Sequence, residues 1–490
     1  MTLNSALASA SSGLAATSRR ADLTASNIAN ASTPGYVRRE LVTEERVVGG
    51  RGQGVTVVGV NRAQDMALSR DRRDASGSAA RADIISQAYT QLNREMGEPG
   101  DTYGLFASYQ NVETSLRDLA VTPESLAYQN DAYNSLNGLT TQFSELYSIG
   151  IKQRVNADNA IARDVQVVNQ SLHRISQLNE EISKAGKTIG GAASLEDERQ
   201  RLLDKISQII PIKDLVKENG QIEITTQEGL FLIAGVTVRE LEFTPAGVIP
   251  PGATYAPPVP GLLSGITVGS ENLTPGNGSF GIQGGSLAGY FAVRDQTAPN
   301  FLNQLDSLAA DLVNRFTGAT VDPTNGVGAA GIITDNGGPV VPLAITGIAS
   351  RLRLNAAIDP NQGGTTSRLR DGIGSVVAGP VSNADILNSL LDAFTNTNTA
   401  PTGSGIVGDF TSTELAAGLT SLIGEARINA DALAASSLSR ATTLADIELS
   451  QTGVDTDAEM QNLLVIEQSY AANARVIQTI SEMIDILMQI

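Results

Sequence analysis

Matching heptad seams at the two ends of the chain constrain its fold more than any other feature. Leu3, Leu7, Ala10, Leu14, Thr17, Ala21, Thr24 and Ile28 recur at spacings of four and three. The pattern stops at Ser32-Thr33-Pro34-Gly35, where Pro and Gly break a helix. Leu463, Ile466, Tyr470, Asn473, Ile477, Ile480, Ile484 and Leu487 repeat the spacing to the C-terminus. Thr456-Asp457-Ala458-Glu459 reads as a capping box opening that last helix. If the two ends pair, the rest of the chain must leave the pair and return to it, so the expected architecture is nested.

Neither terminal helix stabilises itself well. The first seam has four large residues, Leu3, Leu7, Leu14 and Ile28. Burying each contributes about 1.5–3 kcal/mol. Ordering each residue of the helix costs about 1–2 kcal/mol of backbone entropy. The small residues Ala10, Thr17, Ala21 and Thr24 suit close approach by a neighbouring helix. The seams are therefore expected to pair with each other and with the ends of other subunits, frayed in the monomer and ordered on assembly. Leu3, Leu7, Leu14, Ile28, Leu463, Ile466, Tyr470, Asn473, Ile477, Ile480, Ile484 and Leu487 are the candidate assembly interface.

Composition divides what lies between. Fourteen of the 18 prolines fall between Pro245 and Pro401, and Phe243–Val293 holds one charged residue, Glu271. Apolar clusters there (Leu262-Leu263, Ile266, Val268, Val340-Val341, Leu343) indicate short packed strands. Helical spacing marks Asp74–Met96, Leu136–Leu146, Val165–Ile182, Leu195–Ile209 and Glu414–Leu449, with Thr122-Pro123-Glu124 as a helix start. Strand signals mark Val55–Val60, Gln221–Thr226 after the Asn219-Gly220 turn, and Leu230–Ile233 with Val236–Phe243. The expected fold is multidomain α+β. Residues 1–37 with 453–490 form a terminal helical layer with coiled-coil character. Residues 38–210 with 413–452 form an elongated helical bundle with a small β element. Residues 211–412 form a mainly-β outer domain. On this reading, Pro245–Pro401 could be replaced by a short linker with the bundle left intact.

Several chemistries are excluded or disfavoured. With no Cys, disulfides, thiolate metal sites and thiol catalysis are impossible, and any His-based site rests on His173 alone. Thirty-four basic against 52 acidic residues, a formal charge of −18, disfavours nucleic-acid coating. Gly50-Arg-Gly-Gln-Gly54 lacks the spacing of a nucleotide loop and precedes a strand, so it reads as a turn. Asp455-Thr-Asp-Ala-Glu459 lacks the glycine and distal Glu of a calcium loop and reads as helix capping. Arg70-Asp-Arg-Arg-Asp74 reads as an exposed face, with ion pairing between subunits as the alternative. No catalytic, cofactor or metal site is expected. No apolar run spans a membrane, and the start of the chain carries no Sec-type signal.

The two ends carry a further likeness. Thr24-Ala-Ser-Asn-Ile-Ala-Asn-Ala-Ser-Thr-Pro-Gly-Tyr36 resembles the N-terminal signature of the bacterial flagellar axial proteins. Gly453–Met460 and Ser469–Ile480 resemble their C-terminal signature. Ile175–Gly186 followed by Leu195–Ser207, and Gly284–Asp295 leading into Gln304–Ala309, are similar to the hook-associated protein 1 family within that group. Glu196 and Glu198 stand where that family more often has Asp. The resemblance implies a structural, non-enzymatic subunit of the junction layer between hook and filament, located outside the cell and exported without a cleaved signal peptide. It implies as partners further copies of the chain, the hook protein, the second junction protein (hook-associated protein 3) and an export chaperone on the C-terminal helix. The alternatives are hook-associated protein 3 itself, or a middle domain that adds an adhesin-like or two-carboxylate glycosidase role.

Overall fold

The computed structural model describes all residues except 1–2, 49–50, 186–190, 256–260, 342–343 and 489–490. Gly50, Gly186 and Leu343, named above, lie outside the described residues. From the N-terminus the chain forms α1 (Leu3–Asn30), β1 (Arg39–Val48), β2 (Arg51–Arg62), α2 (Met66–Met96), α3 (Gly104–Val121), α4 (Leu126–Ala185) and α5 (Ala193–Ile209). Strands β3 (Ile212–Val216), β4 (Ile222–Thr226), β5 (Phe231–Ala234) and β6 (Thr237–Val238) follow. Next come α6 (Gly285–Ala292), a π-helical turn (Val293–Thr297), α7 (Ala298–Arg315), α8 (Ile348–Arg351), α9 (Arg368–Asp371) and α10 (Asp385–Thr395), with short two-stranded pairs among them. The chain closes with α11 (Ser412–Thr452) and α12 (Thr456–Met488).

The two helical stretches expected at 136–146 and 165–182 are one helix. The 60 residues of α4 make a rod of about 90 Å at 1.5 Å per residue. Its first half presents Leu136, Leu139, Phe143 and Leu146 to one core, shared with α3, α7, α10 and the start of α11. Its second half presents Ile161, Val165, Val168, Leu172 and Ile175 to a second core, shared with α5, α6 and the antiparallel sheet β3-β4-β5-β6. Asn219-Gly220 turns β3 into β4, Gly220 holding φ +78°. α5 ends before Pro211, as its sequence requires.

The terminal helices, the bundle drawn from both sides of the chain, and the small inserted sheets of the expected α+β class are all present. The expected division at 211 and 412 is not where the cores divide. Residues 285–315 and 385–395 are almost wholly helical. Phe301, Leu305, Leu308, Leu312, Leu387, Leu390 and Phe394 from the middle pack in one continuous core with Leu116, Leu139 and Leu419 from the flanks. The proline-rich composition of the middle obscured these two helices, which lie between its proline clusters.

Between the two cores α4 carries a buried polar layer. Arg154 and Asp158 face Arg294 in the π turn, and the Asp158–Arg294 ion pair is 2.8 Å long with neither side chain measurably wet. Arg154 donates to the carbonyl oxygens of Arg294 (2.9 Å) and Ala253.

A second buried acid has a measurable consequence. Asp306 on α7 accepts hydrogen bonds from the amides of Gly347 (2.7 Å) and Ala349 (3.0 Å), pinning the start of α8. Burial pushes its carboxyl up to about 6 against the pull of those two bonds. Because the folded value lies above the unfolded one, the protonated form favours the fold. That contribution is complete below about pH 4 and lost as the pH rises through about 6. Two units correspond to on the order of 3 kcal/mol. Urea unfolding of the wild type and Asp306→Asn at pH 4 and pH 7 checks this. The wild type is expected to gain on the variant by about that amount at the lower pH, and an unchanged difference would refute it.

Candidate assembly surface

The two chain ends meet. α1 and α12 run antiparallel, with Asn473 against Gly13 and with Leu23 and Thr24 sharing a cleft with Asn462, Val465 and Ile466. The hairpin β1–β2 lies along α1. The Val55 amide donates to Ser12 Oγ (3.1 Å), and Gly54, at φ +95°, sits so close to α1 that a Cβ there would fall 2.0 Å from Ser12 Oγ.

The twelve residues named from the seams divide by environment. Ile466 and Ile480 are buried. Leu3, Leu7, Leu14, Ile28, Asn473, Ile477 and Ile484 are half-buried, and Leu463, Tyr470 and Leu487 are exposed. On α1 the buried positions are Ala10, Thr24 and Asn27, the small and polar ones, so the helices approach closely where side chains are short. Sequence reasoning missed the outer face of α12, where Leu464, Val465, Val476, Met483 and Ile486 are also exposed. The available signal was an apolar stripe too wide for a single heptad seam.

Polar residues fix the turns at both ends. Asn27 in the N-terminal signature is buried. It accepts from the Tyr36 hydroxyl (2.8 Å) and donates to the Arg39 carbonyl (2.9 Å), closing the Pro34-Gly35 turn. The cap of α12 differs from expectation. Asp455 Oδ1 accepts from the amides of Asp457 (2.9 Å) and Ala458 (3.1 Å). Glu459, itself buried, does not reach back to the cap, because the half-buried Arg38 takes its carboxylate at 2.6 Å.

The Arg70–Asp74 run is corrected in part. Arg73 is 2% exposed and pairs with Asp204 (2.7 Å) and Asp214 (3.2 Å). Arg72 pairs with Asp204 (2.7 Å) and Glu448. Arg70, Asp71 and Asp74 face solvent, with Arg70 also 3.6 Å from Asp214. The run binds α2 to α5, β3 and α11, because three acidic partners distant in sequence converge on it. His173 sits on an exposed helix face beside Glu240 (2.6 Å). Among the described residues no cluster of His, Asp and Glu could hold a metal ion, and no helix is long and apolar enough to cross a membrane.

Comparison with known proteins matches this layout. The family model described as the flagellar hook-associated protein FlgK helical domain covers residues 89–330, the region of α3 to α7. Models of the flagella basal body rod protein and of the flagellar basal body rod FlgEFG protein C-terminal region cover 7–36 and 448–490, the two helices that pair. The flagellar hook-associated protein 1 of Bacillus subtilis strain 168 is 23% identical over 94% of this chain and 93% of its own length. The chain is similar to the flagellar hook-associated protein 1 family. The protein of the same name from Escherichia coli K12 is 27% identical over 64% of this chain, which thus spans about half the length of that relative (56%). The solved flagellar hook junction protein FlgK of Burkholderia pseudomallei aligns over 54% of this chain and 46% of its own at 20% identity, with a TM-score of 0.43.

Proposed function

We propose that this protein is a member of the hook-associated protein 1 family, a structural, non-enzymatic subunit of the flagellum that forms the junction layer between hook and filament. Residues 1–37 and 453–490 are its assembly layer. The observation that carries the reading is the apolar face of α12, left open beside α1 in a chain whose two ends both match flagellar axial families. Neighbouring copies would cover that face, with the hook protein below and hook-associated protein 3 above. An export chaperone would cover the C-terminal helix before secretion. Electron microscopy of a strain lacking the protein tests this. Complete hooks without filaments, with flagellin lost to the medium, are expected; normal filaments would refute it.

A finer test uses Ile477→Asp with Ile484→Asp. Neither residue belongs to a buried core of the body, so the melting temperature of the isolated protein is expected to hold within a few degrees. Incorporation into flagella is expected to stop, because a charge buried between subunits costs several kcal/mol. A large fall in melting temperature would instead make the tail part of the monomer core.

A further inference from the structure

We infer that Asp197 on α5 is an ionic strut that fixes the angle between the terminal assembly unit and the helical body. The inference rests on the assembly reading above for its purpose, and on geometry alone for its existence.

The terminal unit consists of α1, the hairpin β1–β2 and α12. None of its described residues belongs to any of the buried apolar clusters of the body. Two short backbone crossings join unit to body, at residues 63–65 and 453–455. They are tied to one another by Arg38 N donating to the Thr452 carbonyl (2.9 Å) and Ala63 N to the Arg38 carbonyl (2.8 Å). Such crossings alone leave a hinge, since a few backbone torsions absorb a large rotation.

What braces the hinge from the side is polar. Asp197 accepts from Arg62 Nε at 3.0 Å, from Arg62 Nη2, and from Arg39 Nη2 on its other oxygen. Its side chain is 4% exposed, and those of Arg39 and Arg62 are 13% and 10% exposed. Glu196 stands 3.6 Å from Arg62, and Gln200 accepts from Gln64 (3.3 Å). Gly35 closes the contact: at φ +76° it lies against Arg201, where a Cβ would fall 2.7 Å from Cγ.

One carboxylate thus receives both arginines at the base of the hairpin, Arg39 at the start of β1 and Arg62 at the end of β2. The two guanidiniums arrive from different strands, so Asp197 fixes a direction as well as a distance. The same helix is anchored to the body on its other faces. Glu198 pairs with Arg174 of α4 (2.8 Å), Arg199 donates to Asn179 (3.2 Å) and to the Gly220 carbonyl (2.7 Å), and Asp204 holds Arg73. The Leu195–Ser207 stretch, singled out in the sequence without a role, becomes a keystone: Asp197 and Glu196 face the terminal unit, and Glu198 and Asp204 hold the body. Asp197 is a positioning residue: it orders an assembly surface that it does not join.

The chain has no Cys, so spin labels at Ser18→Cys on α1 and Gln170→Cys on α4, both exposed, report the angle by pulsed dipolar spectroscopy on the full-length monomer. The wild type is expected to give one narrow distance distribution. Asp197→Ala, and separately Arg39→Ala with Arg62→Ala, are expected to broaden it at least about two-fold, with body melting and helical circular dichroism unchanged. Asp197→Glu is expected to restore much of the narrowness. An unbroadened distribution in Asp197→Ala would overturn the strut, as would a matching loss of body stability, which would make Asp197 an ordinary structural residue. Because this readout needs no flagellum, it separates the strut from the junction reading. A second arm scores incorporation into flagella. Broadening with incorporation lost supports the positioning role, and broadening with full incorporation overturns it.

Discussion

Arg294→Ala is expected to destabilise the protein by about 3–5 kcal/mol. The guanidinium is enclosed on every side. It meets Asp158 at 2.8 Å, grips Asp295 with two bonds of 2.9 Å, and stacks 4.6 Å over the Phe291 ring. Removing it strands the Asp158 carboxylate, which is 2% exposed and whose other oxygen holds the Ala246 amide at 2.7 Å. It also withdraws the wedge between the two cores along α4. Arg294→Lys is expected to recover little, because an ammonium cannot reproduce the planar fork that serves two carboxylates. Urea unfolding measures the loss. In a double-mutant cycle, Arg294→Ala with Asp158→Ala should cost well below the sum of the single changes, since each single variant leaves an unpaired buried charge. A single-variant cost below about 1 kcal/mol, the range of exposed pairs, would mean that water reaches the site.

That charge layer shows where the sequence was legible and where it was not. Period 3.6 marked most of the helices, and alternation with Asn-Gly marked the sheet, because both patterns are local. α3 was missed, although Leu105, Val112, Leu116 and Leu119 keep helical spacing. β1 was missed because Arg39–Val48 is largely charged and lies on α1 by one face only. The middle misled by composition. Proline and glycine fill its loops, while two long apolar helical stretches between them close the same core as the flanks. Ion-pair partners were not legible at all, since Arg73 and Asp204, or Arg38 and Glu459, lie far apart in sequence and only the fold brings them together.

The candidate assembly surface was half legible for a related reason. A heptad seam shows which face of a helix is apolar, and two of the residues it named for the interface, Ile466 and Ile480, are buried within the chain itself. It cannot show how much of a wider apolar face the chain's own partner covers. α1 is lined by small residues and covers only a strip of α12, so Leu463, Tyr470 and Leu487 stay exposed beside Leu464, Val465 and Ile486. Asn27 and Glu459 stood inside recognisable signatures, yet their roles follow from the turn at Gly35 and from Arg38, which local pattern does not encode.

Replacing Pro245–Pro401 by a short Gly/Ser linker is expected to abolish cooperative folding of the body, which reverses the outcome that nesting alone suggested. The deletion removes Phe301, Leu305, Leu308, Leu312, Phe316, Ile333, Leu352, Leu387, Leu390 and Phe394 from the first core, and Ile266, Leu273, Leu287 and Phe291 from the second. Truncating one buried Leu or Phe to Ala already costs about 2–5 kcal/mol, and a domain has only about 5–15 kcal/mol to lose. Loop closure, at about 0.6 kcal/mol per doubling of length, is negligible beside this. Thermal melting followed by circular dichroism should lose its sharp transition, and the apolar dye ANS should bind. Removing Ser481–Ile490 touches neither core and is expected to leave melting of the body in place while assembly stops, because Ile484 and Leu487 are lost from the open face of α12. The two deletions therefore fail differently, one in folding and the other in association. A linker variant that melts sharply, with wild-type helical content, would show that α3, α4 and α11 close a core without α7 and α10.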